Sequence, residues 1–176
     1  MIKFKKAVES DASAIADLVN SAYRGDYAKQ GWTTESDLLD GQRTDTDALI
    51  ELIHKPQNQI EIALDEKSHT ILGSVHLIQE LPDTLYFGML TVDPTLQARG
   101  LGKSILSHIE VIAKQNGLQR IRFTVIPTRT ELIAFYQRRG FVETGRFEPF
   151  PIDDPRFGIP KVTNLVLKEF EKRLSI

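Results

Sequence analysis

The 176-residue sequence has no cysteine, only one tryptophan and only two methionines. Without cysteine there is no thiol nucleophile, no disulfide and no cysteine-ligated metal site. No apolar run approaches the ~20 residues needed to cross a bilayer, and the charged opening MIKFKKAVESD lacks the apolar stretch of a secretory signal. Neither sign of charge is in excess. With 22 Lys and Arg against 24 Asp and Glu, the net charge of −2 gives no field to draw in nucleic acid or an anionic membrane. The four histidines show no H-x-x-x-H or related spacing, so no metal is expected. Repeats, low-complexity tracts and linkers are absent as well. These absences lead to an expectation of one domain over residues 1–176, cytoplasmic, with neither nucleic acid nor membrane as partner.

What is present is an ordinary globular composition, 41% hydrophobic and 26% charged. IKFKKAV alternates apolar and polar residues and predicts a strand. Ser10 or Asp11 then caps a helix with an apolar stripe of Ile15, Leu18, Val19 and Ala22. A loop-rich connection follows, with a short helix predicted over about Thr34 to Leu39. TDTDALIELIH predicts the next helix. QIEIAL and TILGSVHLIQEL predict a hairpin turned by DEKSH, and PDTLYFGMLTV a further strand. A helix is predicted from about Gly102 to Asn116 with Gly117 just past its end. LQRIRFTVI then reads as a strand, TRTELIAFYQRR as a helix stopped at Gly140, and GFVETGRF and TNLVLKEFEK as final strands. The order β-α-α-β-β-β-α-β-α-β-β predicts an α/β fold with a mixed sheet flanked by helices.

The segment LTVDPTLQARGLGKSIL carries the first chemical signal. A strand stops at a proline, and a basic loop broken by Gly100 and Gly102 leads into a helix. Amides at a helix N-terminus have no intrahelical partner and the helix dipole adds positive charge, so such a loop can cradle a phosphate or pyrophosphate. Gly100 and Gly102 would let the backbone approach closely, with Arg99 and Lys103 adding charge at the rim. A Walker loop needs its glycines further apart, and a dinucleotide fingerprint needs a third glycine that KSILS does not supply. By itself the loop fits a tight strand-to-helix turn equally well.

A second motif, LIAFYQRRGF from Leu132 to Phe141, lies one strand later. Together, Gln97-x-x-Gly100-x-Gly102 after LTVDP and the later FYQRRGF resemble the GCN5-related N-acetyltransferase (GNAT) family. Its loop motif is [RQ]-x-x-G-x-[GA], and its next helix commonly runs A-x-x-F-Y-x-x-x-G-F. The element order is similar over nearly the whole chain, while the specific motifs lie in Leu90–Phe141.

The resemblance implies a mainly antiparallel sheet, acetyl-CoA as cosubstrate, no metal, and transfer of an acetyl group to an amine of a small molecule or protein. It implies that the amides of Gln97, Ala98, Arg99, Gly100, Leu101, Gly102, Lys103 and Ser104 take the pyrophosphate, and that backbone groups of Leu90 and Val92 pair with pantetheine. Tyr136 matches the tyrosine near the thioester sulfur, where a phenol can protonate a thiolate. A homodimer is a family-level expectation. The sequence departs from the pattern twice. Arg129 stands where many relatives carry asparagine, which turns that side chain toward a phosphate. LYFGMLTV lacks the acid that many relatives use as a general base.

Candidates for the acceptor side are Trp32, Glu35 and Glu80. Trp32, in the long connection after the first helix, is a pocket wall or a staple to the core. Glu35, Asp37, Glu148, Asp153 and Asp154 could attract a cationic amine or simply be solvated. Pro149, Pro151, Pro155 and Pro160 with Phe147, Phe150 and Phe157 could shape a pocket or a dimer contact. His76 is a further base candidate, and His108 reads as packing or surface. Lack of cysteine favours direct attack over a cysteine-borne acyl intermediate. Two other readings fit the same residues: a coenzyme A-binding sensor or assembly subunit without catalysis, and a nucleotide-binding module.

Overall fold

The computed structural model describes residues 1–151 and 158–175. Asp153, Asp154, Pro155 and Phe157 therefore lie outside the described residues. In chain order the elements are β1 (Ile2–Lys6), α1 (Ala12–Tyr23), β2 (Leu39–Asp40), α2 (Thr46–His54), β3 (Asn58–Asp65), β4 (Ile71–Glu80) and β5 (Thr84–Val92). After them come α3 (Leu101–Gln115), β6 (Arg120–Val125), α4 (Thr130–Gln137), β7 (Val142–Pro149), β8 (Ile159–Pro160) and β9 (Val166–Arg173).

Seven strands form one sheet in the order β1-β3-β4-β5-β6-β9-β7. Every neighbouring pair is antiparallel except β5 and β6, which are parallel. That single parallel pair needs a crossover, and α3 supplies it. Its apolar stripe of Ile105, Leu106, Ile109, Ile112 and Ala113 is buried against β4, β5 and β6. On the opposite face Ile15, Ala16 and Val19 of α1 and Leu49 of α2 pack on Ile60, Ile62 and Met89. Phe87, Phe123, Phe170 and Phe141 gather beneath α4 with Tyr136, whose ring centroid stands 4.2 Å from that of Phe123.

Local chemistry sets several boundaries. Asp45 caps α2 by accepting from the Ala48 amide at 2.7 Å. Gly117, at φ 69°, follows the end of α3 in the left-handed conformation that suits it. Asp11 begins α1 without a cap bond to it, its carboxylate instead accepting from the Val8 amide at 2.9 Å.

One expected element is absent. Residues 34–39 are not a helix; a single turn, in which the amides of Leu38 and Leu39 both donate to the Glu35 carbonyl, runs into β2. β2 pairs with β8 in a second, two-stranded sheet, Leu39 opposite Pro160. The polar run has no apolar stripe long enough to hold a helix against the core, and a partner more than a hundred residues away offers strand pairing instead. No helix among the described residues is long and apolar enough to cross a membrane.

Candidate active site

β5 changes character along its length. Only Thr84–Tyr86 pair with β6, opposite Arg120–Arg122. At Met89 the backbone turns left-handed, with φ 49°. The register against β4 shifts there, so that Met89 and Leu90 together oppose Val75, a β-bulge. Beyond it β5 and β6 separate. A cleft opens between two strand ends whose facing amides and carbonyls have no ladder partner in each other.

The loop after β5 is built from short-range bonds. The Asp93 carboxylate accepts from the amide and hydroxyl of Thr95 at 2.9 and 2.7 Å, and Pro94 opens a tight helical turn. Ala98 and Gly100 are left-handed, at φ 67° and 85°, and Gly100 is the N-cap of α3. This conformation leads into the first-turn amides of α3, which lack intrahelical acceptors. A Cβ added at Gly100 would meet nothing within 4 Å, so the loop is open on that side.

Trp32, Leu90, Val92, Gln97, Ala98, Gly100, Gly102, Lys103, Arg129 and Tyr136 line one cavity of about 470 Å³. Arg99, Leu101 and Ser104 do not: the Arg99 side chain is exposed, Leu101 is buried in the core, and the Ser104 hydroxyl donates back to the Gly100 carbonyl at 3.1 Å. Gln97 uses its side chain to hold structure. Its Oε1 accepts from the Thr33 amide at 3.3 Å and its amide reaches the Val92 carbonyl at 3.5 Å, tying the loop after α1 to the end of β5. Trp32 tilts against Phe135 with ring centroids 5.6 Å apart, acting as both wall and staple.

Tyr23, Phe135, Arg138 and Arg139 also line this cavity; the last three belong to the FYQRRGF motif without being site candidates from the sequence, and Tyr23 lies outside both motifs. The Arg139 guanidinium lies 3.6 Å over the Phe135 ring and donates to the Phe135 carbonyl at 2.7 Å. The RR pair next to FY was visible in the sequence. The placing of Tyr23 against β5 was not.

A second cavity of about 140 Å³ lies past the bulge and shares Tyr23, Leu90, Arg129, Leu132 and Tyr136 with the first. Tyr136 thus stands in the wall between them. Its hydroxyl has no hydrogen-bond partner among the described residues, and burial raises its pKa well above the ordinary phenol value. A third cavity of about 350 Å³ continues outward, bordered by Arg43, Glu51, His76, Arg122 and Glu148.

The acidic candidates are mostly engaged. One Glu35 oxygen is ion-paired to Arg24, and the other lies 3.1 Å from Arg129 Nη1, all three side chains being nearly closed to solvent. Arg129 also donates to Thr33 Oγ1 at 3.0 Å. The guanidinium expected at a phosphate is therefore committed to a carboxylate that was itself expected at the acceptor. Glu80 is held by Arg122 at 2.7 Å and borders none of the three cavities. His76 belongs to no cluster of metal-ligating side chains among the described residues. Its Nε2 lies 2.7 Å from Asn58 Oδ1, whose amide is oriented by a 2.8 Å bond to the Pro56 carbonyl, so Nε2 carries the proton. Burial, then the charges of Arg43 and Lys55, lower its pKa to about 4. His108 packs on Phe4 and pairs with Glu61 at 2.8 Å.

Known proteins match this architecture. An acetyltransferase of the GNAT family from Staphylococcus aureus Mu50 superposes with a TM-score of 0.70 at 18% identity, over 99% of this chain and 100% of that one. The yncA protein of Salmonella typhimurium, solved with its cofactor acetyl-CoA, gives 0.67 at 17% over 99% and 94%. A Bacillus anthracis protein in complex with acetyl coenzyme A gives 0.56 at 23% over 72% and 68%. No curated protein matches the sequence significantly. The model of the Acetyltransferase (GNAT) family matches residues 15–141, from the middle of α1 to the end of the FYQRRGF motif. With the bulged, splayed β5 and the left-handed Gly100 loop at its heart, this chain belongs to the GNAT family of acetyltransferases and is an acyl-CoA-dependent N-acyltransferase.

Proposed function

We propose that the chain, as one domain over residues 1–176, transfers acetyl from acetyl-CoA to a primary amine by direct attack in a ternary complex. The observation that carries this reading is the position of Tyr136, in the wall common to the two inner cavities. Acetyl-CoA supplies a thioester whose acyl carbon accepts the amine. The residues at hand fit it: unpartnered first-turn amides at the open Gly100 loop suit the pyrophosphate, and the edge of β5 that has no strand partner in β6 near Leu90 and Val92 suits the amides of pantetheine.

The amine enters by the second cavity. As its nitrogen bonds to the acyl carbon, the carbon–sulfur bond breaks and the thiolate takes a proton from Tyr136 Oη. The raised pKa of Tyr136 keeps that proton in place at neutral pH. No carboxylate on β5 or at Glu35 is free to act as a base. Instead, among the described residues, Arg43 and Arg129 border the second cavity against Glu35 alone, an excess of positive charge that disfavours the ammonium form of the acceptor. The displaced proton leaves through water and restores the phenol.

Tyr136→Phe tests the assignment. The ring packing remains, so acetyl-CoA binding measured by calorimetry should be retained while kcat for acceptor-dependent thiol release falls roughly 100-fold. Unchanged kcat removes Tyr136 from the chemistry.

A further inference from the structure

We infer that Arg43 is the anion-binding residue of the acceptor site and that the acceptor is a small amino carboxylate rather than a polyamine or simple alkylamine. This rests on the acetyltransferase reading and specifies its substrate class.

Arg43 is set on a rigid perch. Its backbone amide and that of Thr44 both donate to Asn20 Oδ1, at 2.7 and 3.0 Å, while Asn20 Nδ2 donates to the Thr44 carbonyl at 2.9 Å. α1 thereby fixes where the side chain starts. Its guanidinium carbon lies 5.6 Å from the centroid of the Tyr23 ring and the side chain borders both the second and the third cavity. The other arginines on these cavities have carboxylate partners: Arg129 holds Glu35, and Arg122 holds Glu80, Glu148 and Glu169. Arg43 has none among the described residues, where its side chain makes no ion pair or hydrogen bond and meets the Tyr23 ring. A guanidinium beside such a pocket, set on fixed backbone and without a carboxylate partner among the described residues, is suited to a bidentate carboxylate.

The size and charge of the pocket agree. Arg43 and Tyr136 line the same cavity of about 140 Å³, so an amine at Tyr136 and an anion at Arg43 must belong to one short molecule. Of the acids on these cavities, Glu35 is held by its two arginines and Glu148 by Arg122, while Glu51 borders the third cavity only, away from Tyr136. Phe87, Phe123, Leu132 and Leu167 give the remainder an apolar lining. The remaining part of a longer acceptor would extend past Arg43 into the third cavity, toward His76.

The test compares amino acids with the amines left when their carboxylate is removed, such as alanine with ethylamine and phenylalanine with phenethylamine. Thiol release from acetyl-CoA is followed for the wild type, Arg43→Gln and Arg43→Lys. Calorimetry of the same amino acids with the CoA-loaded protein makes the test independent of turnover, and calorimetry with acetyl-CoA alone reports the cofactor site and folding. The proposal expects at least a tenfold advantage in kcat/KM, or in affinity, for the carboxylate member of one or more pairs. Arg43→Gln should erase the advantage by raising KM for that member alone, Arg43→Lys should retain part of it, and acetyl-CoA affinity should stay within twofold. Equal or better use of the decarboxylated amines overturns the proposal, as does an Arg43→Gln loss shared by both members. Acetyl-CoA binding with no amino acid bound or acetylated also overturns it and leaves the acetyltransferase reading standing. Failure to bind acetyl-CoA overturns that reading, and the proposal with it.

Discussion

The hydroxyl of Tyr23 donates to the carbonyl of Leu90 at 2.8 Å, joining the end of α1 to the bulge of β5. Leu90 thus has a protein donor on a carbonyl that faces the cleft, and the left-handed Met89 beside it is held in a conformation costing on the order of 1 kcal/mol or more. The bond therefore pins the strand where β5 and β6 part. Tyr23→Phe should cost about 1 kcal/mol in urea unfolding and lower kcat several-fold with acetyl-CoA affinity retained. An unaltered midpoint and kcat together mean that the bulge holds itself.

The two loop glycines should respond differently to the same added methyl group. At Gly100 the obstacle is backbone conformation: φ 85° strains alanine by about 1–2 kcal/mol although the space is open. At Gly102 the helix is regular and a Cβ would stand 3.5 Å from the Phe135 ring, an ordinary contact. Gly100→Ala should weaken acetyl-CoA binding measurably while Gly102→Ala leaves it within about twofold. Gly100→Glu should weaken it further, by putting charge where a phosphate must approach. Equal calorimetric affinities for all three variants would refute the cradle assignment.

Glu35 is the counter-ion of two arginines, and its loss should be felt through both. Glu35→Gln keeps the shape and leaves Arg24 and Arg129 facing each other with little solvent. Removing one partner from such a buried cluster costs about 3–5 kcal/mol, read as a lowered urea midpoint. A loss below 1 kcal/mol would show that the arginines find other anions.

His76 gives a pH signature. Its folded pKa of about 4 lies below the ordinary 6.5, so the unfolded chain binds its proton first as pH falls. The associated stability is complete above about pH 6.5 and is lost through the window down to about 4, amounting to about 2–3 kcal/mol by pH 4.5. Unfolding free energies from urea titrations at pH 7 and 4.5 should differ less in His76→Gln than in the wild type by that amount. Equal differences would mean that His76 is not buried as a neutral ring.

The sequence by itself determined the elements whose periods are long and clean. The stripe from Ile105 to Ala113, the alternation in β3 and the Gly117 and Gly140 stops are local consequences of side-chain spacing and backbone freedom. The loop and the FYQRRGF motif were legible for the same reason: helix-end amides, left-handed glycine and neighbouring aromatics act over a few residues. Tertiary structure decided the rest. Residues 34–38, polar up to Leu38, have no strong local preference, so a turn leading to β2 won over a helix once β8 arrived as a partner. Glu35, Arg129 and Arg24 look like three separate surface charges in the sequence; folding takes them out of water together, and only pairing makes that tolerable. Arg43 makes the contrast. The same folding leaves it beside a cavity with no carboxylate partner among the described residues, because which charges meet depends on where α1, α4 and the connections come to rest, and no short-range rule encodes that.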